Sequence, residues 1–252
     1  MKTVVIAQGK GGVGKTASAA HIAFYAREAG LRVLAVDLDT GNLSKTLANN
    51  NIGVPASALF LDTPPSGLAA KPENSGRLDL IAADDLLANL VFLPLEQCMN
   101  NLVLNLHAFS KDYDLCIIDT APGLGIALAS ALHAADAVLA PMEMESYSME
   151  GIKYMMRTIL NARQRNPRLT FLGILPSRVD RRNPRHVRHL AQFRQAQESL
   201  LVPLVIGMRS SVAEALDQGV PVWTLRKTSA RAAGAEMRAL GNYVLTKMGV
   251  AQ

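Results

Sequence analysis

Residues 9–16 read Gly-Lys-Gly-Gly-Val-Gly-Lys-Thr and fit the pattern G-x-x-x-x-G-K-[ST] at every fixed position. A β-rich run at residues 3–7 precedes them and predicts a buried strand, and an alanine-rich run at residues 16–28 predicts a helix that ends at Gly30. Glycines allow consecutive backbone N–H groups to turn toward an anion, and the amino end of a helix adds positive partial charge. The stretch therefore predicts a phosphate-binding loop.

The last two residues of this loop carry its specific chemistry. Lys15 is expected to reach the β- and γ-phosphates of a nucleotide, and the hydroxyl of Thr16 is expected to bind Mg²⁺. The candidate nucleotide-binding residues are Gly11, Gly12, Val13, Gly14, Lys15, Thr16 and Ala17.

A dinucleotide-binding turn is the alternative interpretation of the same stretch. Gly9-x-Gly11-x-x-Gly14 also fits that fingerprint, and Asp37 or Asp39 falls near the place where an acid binds the ribose. Such a turn has no use for the Lys-Thr pair, and it does not explain a second acidic strand end at Asp119. We therefore favour the nucleotide triphosphate interpretation.

That second acidic strand end closes the apolar run Leu-Cys-Ile-Ile-Asp at residues 115–119. In a parallel sheet Asp119 would emerge beside the phosphate loop and hold Mg²⁺, through a water molecule. Asp37 and Asp39 lie at the end of another predicted strand, residues 32–37, in the same way. One of these two carboxylates is expected to align a water molecule at the γ-phosphate.

Apolar runs and helical patterns alternate along the whole chain. Further strands are predicted at residues 78–82, 137–141 and 169–175, and further helices at about 94–109, 126–134, 147–165, 184–200 and 228–247. The alternation predicts an α/β fold with a doubly wound, mostly parallel sheet and helices on both faces. Residues 1–252 are predicted to form a single domain, in which the proline-rich segment 49–76 is a surface excursion.

Composition excludes several classes of protein. Of the 252 residues 49% are hydrophobic and 19% are charged, which is incompatible with a disordered chain. No apolar stretch approaches the length of a membrane span. Two cysteines, Cys98 and Cys116, cannot build a disulfide framework or a four-cysteine metal site. A soluble, cytoplasmic protein is expected.

The positive charge of the chain is concentrated in its last third. The net charge is +5, and residues 178–252 hold 12 Lys or Arg against 5 Asp or Glu. Such an excess indicates either a surface that faces a polyanion or a solvated basic face, and charge alone does not decide between them.

The second residue of the phosphate loop, Lys10, makes the stretch resemble the deviant Walker A motif of the ParA/MinD superfamily. Other segments similar to motifs of that superfamily are Asp37-Leu-Asp39, residues 117–122, residues 141–151, and residues 209–215 with 219–221. Residues 176–180 and 183–186 are most similar to ParA proteins of broad-host-range plasmids. The family's usual Asp-Pro-Gln-Gly-Asn is one residue shorter here, as Asp39-Thr-Gly-Asn42, so the roles of Asp37 and Asp39 stay open.

This resemblance implies an ATPase that uses ATP and Mg²⁺ and forms a homodimer with two nucleotides between the subunits. Lys10 would reach the phosphates of the other subunit's ATP, and Asp39 would assist hydrolysis, so that Lys10, Lys15 and Asp39 are the implied catalytic residues. Thr16 and Asp119 are the implied metal ligands. The implied partner is a ParB-like protein bound to a centromere, which would stimulate an otherwise slow hydrolysis.

The resemblance also implies nonspecific DNA binding by the late basic region, and hence association with the nucleoid. Phosphate neutralisation with release of counterions would supply the affinity. The densest basic run comprises Arg178, Arg181, Arg182, Arg185, Arg188 and Arg194. The individual DNA-binding candidates are Arg209, Arg226, Lys227 and Arg231.

The last predicted helix allows a different function to be considered. Its apolar residues Met237, Leu240, Val244 and Met248 form a stripe that would suit either a MinD-like membrane helix or packing onto the sheet. Only Lys247 is basic after Arg238, which favours packing, and no stable membrane association is expected. The alternative functions are an ATPase that positions a protein cargo or acts at a membrane site, and a metabolic P-loop enzyme.

Overall fold

The computed structural model describes residues 1–39, 41–65, 76–123, 125–144 and 148–250. In these residues seven parallel strands form one sheet in the order β3-β4-β2-β5-β1-β6-β7. The strands are β1 Lys2–Ile6, β2 Val33–Leu38, β3 Asn51–Pro55, β4 Leu78–Ala82, β5 Leu115–Thr120, β6 Ala137–Met142 and β7 Thr170–Pro176. The predicted α/β class and parallel sheet are confirmed.

Helices connect the strands. They are α1 Lys15–Glu28, α2 Asn42–Thr46, α3 Leu95–Ala108, α4 Ile126–Ala134, α5 Ser148–Arg165, α6 Pro184–Gln197, α7 Ser210–Asp217 and α8 Thr228–Met248. Short 3₁₀ segments cover Ala48–Asn50, Ala56–Phe60, Asp85–Phe92, Glu198–Leu200 and Val222–Thr224.

Two apolar layers enclose the sheet, one on each face. Along β1, Val4 and Ile6 pack with α1 and α8, whereas Val5 packs with α3, α4 and α5. Strands that are covered on both faces are apolar at most positions, which is why they read as nearly continuous apolar runs in the sequence. The register places Ile6 and Asp37 on either side of Asp119, so the carboxyl ends of β1, β5 and β2 meet at one edge.

Helix α8 packs against the sheet and against α1. The side chains of Met237, Leu240, Val244 and Met248 are all buried, as the packing interpretation predicted. Gly241 lies so close to Tyr25 of α1 that an added Cβ would be 2.5 Å from its ring. No helix in the described part of the chain is long and apolar enough to cross a membrane.

The prediction that segment 49–76 is a surface excursion was wrong for its first half. Asn51–Pro55 pairs in parallel with β4, and the 3₁₀ segment after it buries Leu59 and Phe60. Asn101 and Asn105 of α3 donate hydrogen bonds to carbonyl groups of that segment, at 2.9 Å. Pro55 is the last residue of this edge strand and does not exclude it. Residues 66–75 lie outside the described residues.

Two further differences concern helices. The short helix α7 was not predicted, although a pair of serines opens it and Gly219 follows its end with a φ of +65°. Helix α6 ends at Gln197 and continues as the 3₁₀ turn Glu198–Leu200.

Candidate phosphate-binding site

The phosphate loop connects β1 to α1 at the edge where the strands end. Gly12 and Gly14 have φ angles of +75° and +94°, a conformation that residues with a Cβ rarely adopt. At Gly14 a Cβ would also lie 2.8 Å from the hydroxyl of Ser177, which follows β7. The loop thus keeps its backbone exposed to the cleft while Gly14 packs against the residue that follows β7.

Lys15 occupies the floor of the cleft as the first residue of α1. Its side chain is almost buried, and burial lowers the pKa of its ammonium group, while the charges of Asp119 and Asp39 oppose that shift. Lys15 thus places a largely buried amino group beneath the loop, near the carboxylates of Asp119 and Asp39.

Thr16 and Asp119 meet beside Lys15. The Thr16 hydroxyl donates a 2.6 Å hydrogen bond to Oδ2 of Asp119, whereas the buried Oδ1 has no hydrogen-bond partner among the described residues. Burial raises the pKa of Asp119 to about 7, and the nearby charges of Asp37 and Asp39 act in the same direction. A buried carboxylate oxygen without a donor and an adjacent hydroxyl are the hard oxygen ligands that suit Mg²⁺.

Asp37 and Asp39 have different surroundings. The buried Asp37 accepts hydrogen bonds from the backbone N–H of Asp39 at 3.0 Å and from the N–H and hydroxyl of Ser44, both at 2.7 Å. These bonds anchor the start of α2, so the carboxylate of Asp37 has a structural role. Asp39 is half-buried and lines the cleft. Of the two acids that the sequence left open, only Asp39 faces the loop.

The cleft over the loop has a volume of about 580 Å³. Its walls include Lys45, Pro122, Arg178 and Asp217, which sequence reasoning did not assign to the site. Lys45 and Asp217 lie on the two short helices, α2 and α7, so no motif marked them.

Lys10 directly precedes Gly11, the first loop residue that lines the cleft, so we describe it as lying at the mouth of the cleft, where it is in an ion pair. Its Nζ is 3.1 Å from Oε2 of Glu143, and Nε of Arg178 donates to Oε1 of the same carboxylate at 2.7 Å. About half of the Lys10 side chain is exposed (54%), whereas that of Glu143 is largely covered (17%). The sequence singled out Lys10 but not Glu143 as a residue that pairs with it.

The four late DNA-binding candidates differ in their surroundings. Arg209 is held by Glu236, with 2.6 Å between Nη2 and Oε1, and Lys227 is held by both carboxylate oxygens of Glu214. The first of these pairs is largely covered, since a quarter of the Arg209 side chain is exposed (26%). Arg226 and Arg231 are exposed. Arg209 therefore fastens the segment before α7 to α8.

A stronger basic surface lies on α6 and the turn before it. Arg181, Arg182, Arg185, Arg188 and Arg194 are exposed there. Helix α6 contains no acidic residue, so nothing within it neutralises this charge. We call these five arginines the α6 surface.

Comparison with known proteins identifies the family of this chain. The model of a family described as an AAA domain matches residues 1–171. Protein IncC of Escherichia coli is 49% identical over 100% of this chain and 71% of its own length. The chromosome partitioning protein ParA of Caulobacter vibrioides is 32% identical over 88% of this chain and 86% of its own. The chain belongs to the ParA/MinD superfamily.

The fold of the chain is also similar to that of a solved structure. A cobyrinic acid a,c-diamide synthase from Mycobacterium smegmatis, with a bound ATP analogue and magnesium, superimposes with a TM-score of 0.76. It is 27% identical and covers 100% of this chain and 97% of that one. The superfamily that Lys10 and the acidic strand ends indicated is therefore confirmed.

Proposed function

We propose that this chain is a ParA-type partition ATPase that hydrolyses ATP to ADP and phosphate and segregates or positions DNA. The observation that carries this proposal is the presence of two lysines at one phosphate loop. Lys15 is buried at the floor, where it can bind phosphates of its own nucleotide, and Lys10 is half-exposed at the mouth. A second lysine at the mouth can add its charge to phosphates held by another subunit. The relationship to IncC and ParA supports the same function.

ATP and Mg²⁺ fit the residues of the cleft. The hydroxyl of Thr16 and the unpartnered oxygen of Asp119 would hold Mg²⁺. When bound, Mg²⁺ would neutralise charge that develops on the β- and γ-phosphates. Gly12 leaves open space where a Cβ would stand, so phosphates can approach the backbone N–H groups directly.

Lys15, Asp39 and Lys10 have different roles in the proposed hydrolysis of ATP. Lys15 binds the phosphate oxygens, and Asp39 accepts a hydrogen bond from the attacking water and orients it. Lys10 of a second subunit adds positive charge only when the dimer forms, which couples assembly to the γ-phosphate. Hydrolysis is therefore slow in the isolated chain, and a ParB-like partner accelerates it.

DNA binding would use the α6 surface, together with Arg226 and Arg231. Its five arginines are exposed, although Arg182 is paired with Asp180 at 3.3 Å. Arg209, by contrast, is largely covered in its pair with Glu236, and Lys227 is paired with Glu214. An ATP dimer brings two such surfaces together, and the doubled phosphate contacts give avidity. The ATP form would then reside on the nucleoid in the cytoplasm.

The test measures retention of a random-sequence DNA duplex at several salt concentrations, with ATP or with ADP. Arg185→Ala/Arg188→Ala should weaken binding of the ATP form and reduce the salt slope by about one unit for each lost contact. Lys111→Ala/Arg168→Ala is the matched control, because both residues are exposed and precede the amino ends of β5 and β7, whereas the α6 surface follows the carboxyl end of β7. Equal affinity in both nucleotide states, or equal losses in the two double variants, would reject this DNA-binding surface.

A metabolic P-loop enzyme is the second candidate, favoured by the structural likeness to a protein named as a synthase. Such an enzyme turns over rapidly with its small substrate alone. A partition ATPase should hydrolyse ATP slowly alone and faster when DNA and a ParB-like protein are added together. Steady-state hydrolysis under these conditions separates the two candidates.

A further inference from the structure

Three neighbouring strands bring two cations and one carboxylate together at the mouth of the cleft. Strands β1, β6 and β7 lie side by side, and Lys10, Glu143 and Arg178 follow their carboxyl ends. Glu143 uses both carboxylate oxygens, one toward Lys10 at 3.1 Å and one toward Arg178 at 2.7 Å. The arrangement is a carboxylate bound between two cations beside a site built for phosphate.

The backbone conformation of Arg178 indicates that this cluster has a function. Among the described residues Arg178 is the only non-glycine residue with a positive φ, at +54°. Such a conformation costs free energy and persists where the surroundings fix it, most often at functional sites. Arg178 also lines the cleft itself, so its guanidinium contacts Glu143 at the edge of the space that phosphates would occupy.

We propose that Glu143 is a positioning residue that holds Lys10 and Arg178 in the absence of ATP and competes with phosphate for them. The inference rests on the proposed function, because Lys10 must leave Glu143 before it can reach the phosphates of a second subunit. Glu143 thus competes with the phosphates for Lys10 and Arg178. It opposes dimer formation until a nucleotide with enough negative charge is bound. Through Lys10, this carboxylate sets the ATP threshold of dimerisation.

The competition has an expected size. An ion pair of this exposure changes an equilibrium constant by up to about fivefold, and a dimer must break two of them. Removing the charge of Glu143 should therefore lower the dimer dissociation constant by roughly two- to twenty-five-fold. A residue that merely supported the fold would weaken the dimer when it was changed, so the direction of the effect is diagnostic.

The main experiment measures dimerisation by sedimentation velocity with a non-hydrolysable ATP analogue and Mg²⁺. Glu143→Gln, which keeps the shape and loses the charge, should dimerise more tightly than the wild-type chain. Glu96→Gln is the matched control, since it removes a carboxylate paired with Arg165 on α5, away from the loop. Dimerisation of Glu143→Gln that equals or falls below that of the wild-type chain would overturn the proposal.

A second measurement tests the contact in the monomer. Without nucleotide, acetylation of Lys10 by N-hydroxysuccinimide acetate, followed by mass spectrometry, should be faster in Glu143→Gln than in the wild-type chain. Lys111 is exposed elsewhere and serves as the internal reference. Equal rates at Lys10 would show that Glu143 does not hold it. A wild-type chain that never dimerises with the analogue would instead reject the proposed dimer, and the inferred competition with it.

Discussion

Acidification should destabilise this protein through one buried histidine, His21 of α1. Its ring accepts a hydrogen bond at Nε2 from the backbone N–H of Val222, at 3.2 Å, and its Nδ1 is 2.8 Å from the carbonyl of Ala17. Trp223 and Phe24 pack edge-on against the ring. A proton on Nε2 would break the bond to Val222 and place a charge in an apolar environment.

The size of the effect follows from the pKa of His21. Burial lowers it from 6.5 to about 4, so between these values the unfolded chain binds a proton that the folded chain does not. Well above pH 6.5 the ring is neutral in both the folded and the unfolded chain, so His21 does not change the free energy of unfolding. As the pH drops from 6.5 toward 4, the unfolded chain is stabilised by the proton it binds, and the free energy of unfolding falls. Between pH 7.5 and pH 5.0 the loss is about 2 kcal/mol, and below pH 4 it approaches about 3 kcal/mol.

The assay compares urea unfolding at pH 7.5 and pH 5.0, followed by circular dichroism, in three proteins. His21→Asn cannot titrate, so its pH-dependent loss should be smaller than that of the wild-type chain by about 2 kcal/mol. His107→Gln, which replaces an exposed histidine, should behave like the wild-type chain. The difference between the two pH values is what counts, because His21→Asn also loses packing at both.

One result would refute this reasoning. If the wild-type chain and His21→Asn lose the same free energy of unfolding between the two pH values, the ring is protonated in the folded state without cost. The bond from Val222 would then have no part in holding α1 to the segment before α8.

Three further predictions concern the cleft and the packing of α8. Lys15→Ala should abolish ATP binding, because the buried positive charge under the phosphates is lost; titration with a fluorescent ATP analogue measures this, and normal affinity would reject the site. Asp39→Ala should bind ATP, hydrolyse little and accumulate as a dimer on a sizing column; continued hydrolysis by a monomer would transfer the role to Asp37. Gly241→Ala should lower the free energy of unfolding, measured in urea, by about 1–3 kcal/mol, because the added Cβ would lie 2.5 Å from the Tyr25 ring. An unchanged urea midpoint would mean that this ring moves aside.

The loop and the strands around it could be predicted from the sequence because their signals are local. A strand buried on both faces is a nearly continuous apolar run, and a phosphate loop has glycines at fixed spacing. Residues 115–119, predicted as a strand that ends in Asp119, differ from the observed Leu115–Thr120 by one residue.

The contacts that differ from expectation depend on distant parts of the chain. Strand β3 is a short edge strand with prolines nearby, and the buried amides of α3 that hold the segment after it are about forty residues away. Glu143 is one acid among several in its segment, and only the alignment of β6 with β1 and β7 gives it Lys10 and Arg178 as partners. The spacing of residues in the sequence does not predict such contacts.

The place of β1 in the sheet has a consequence for how the chain is made. Its two neighbours, β5 and β6, begin at Leu115 and Ala137, and Ser177, which lies against Gly14 of the loop, comes later still. At ribosomal rates of about 5–20 residues per second, the loop leaves the ribosome roughly 10 to 30 s before Ser177. The phosphate loop is thus synthesised first and enclosed last, so the nascent chain completes most of its sheet before a nucleotide can stabilise it.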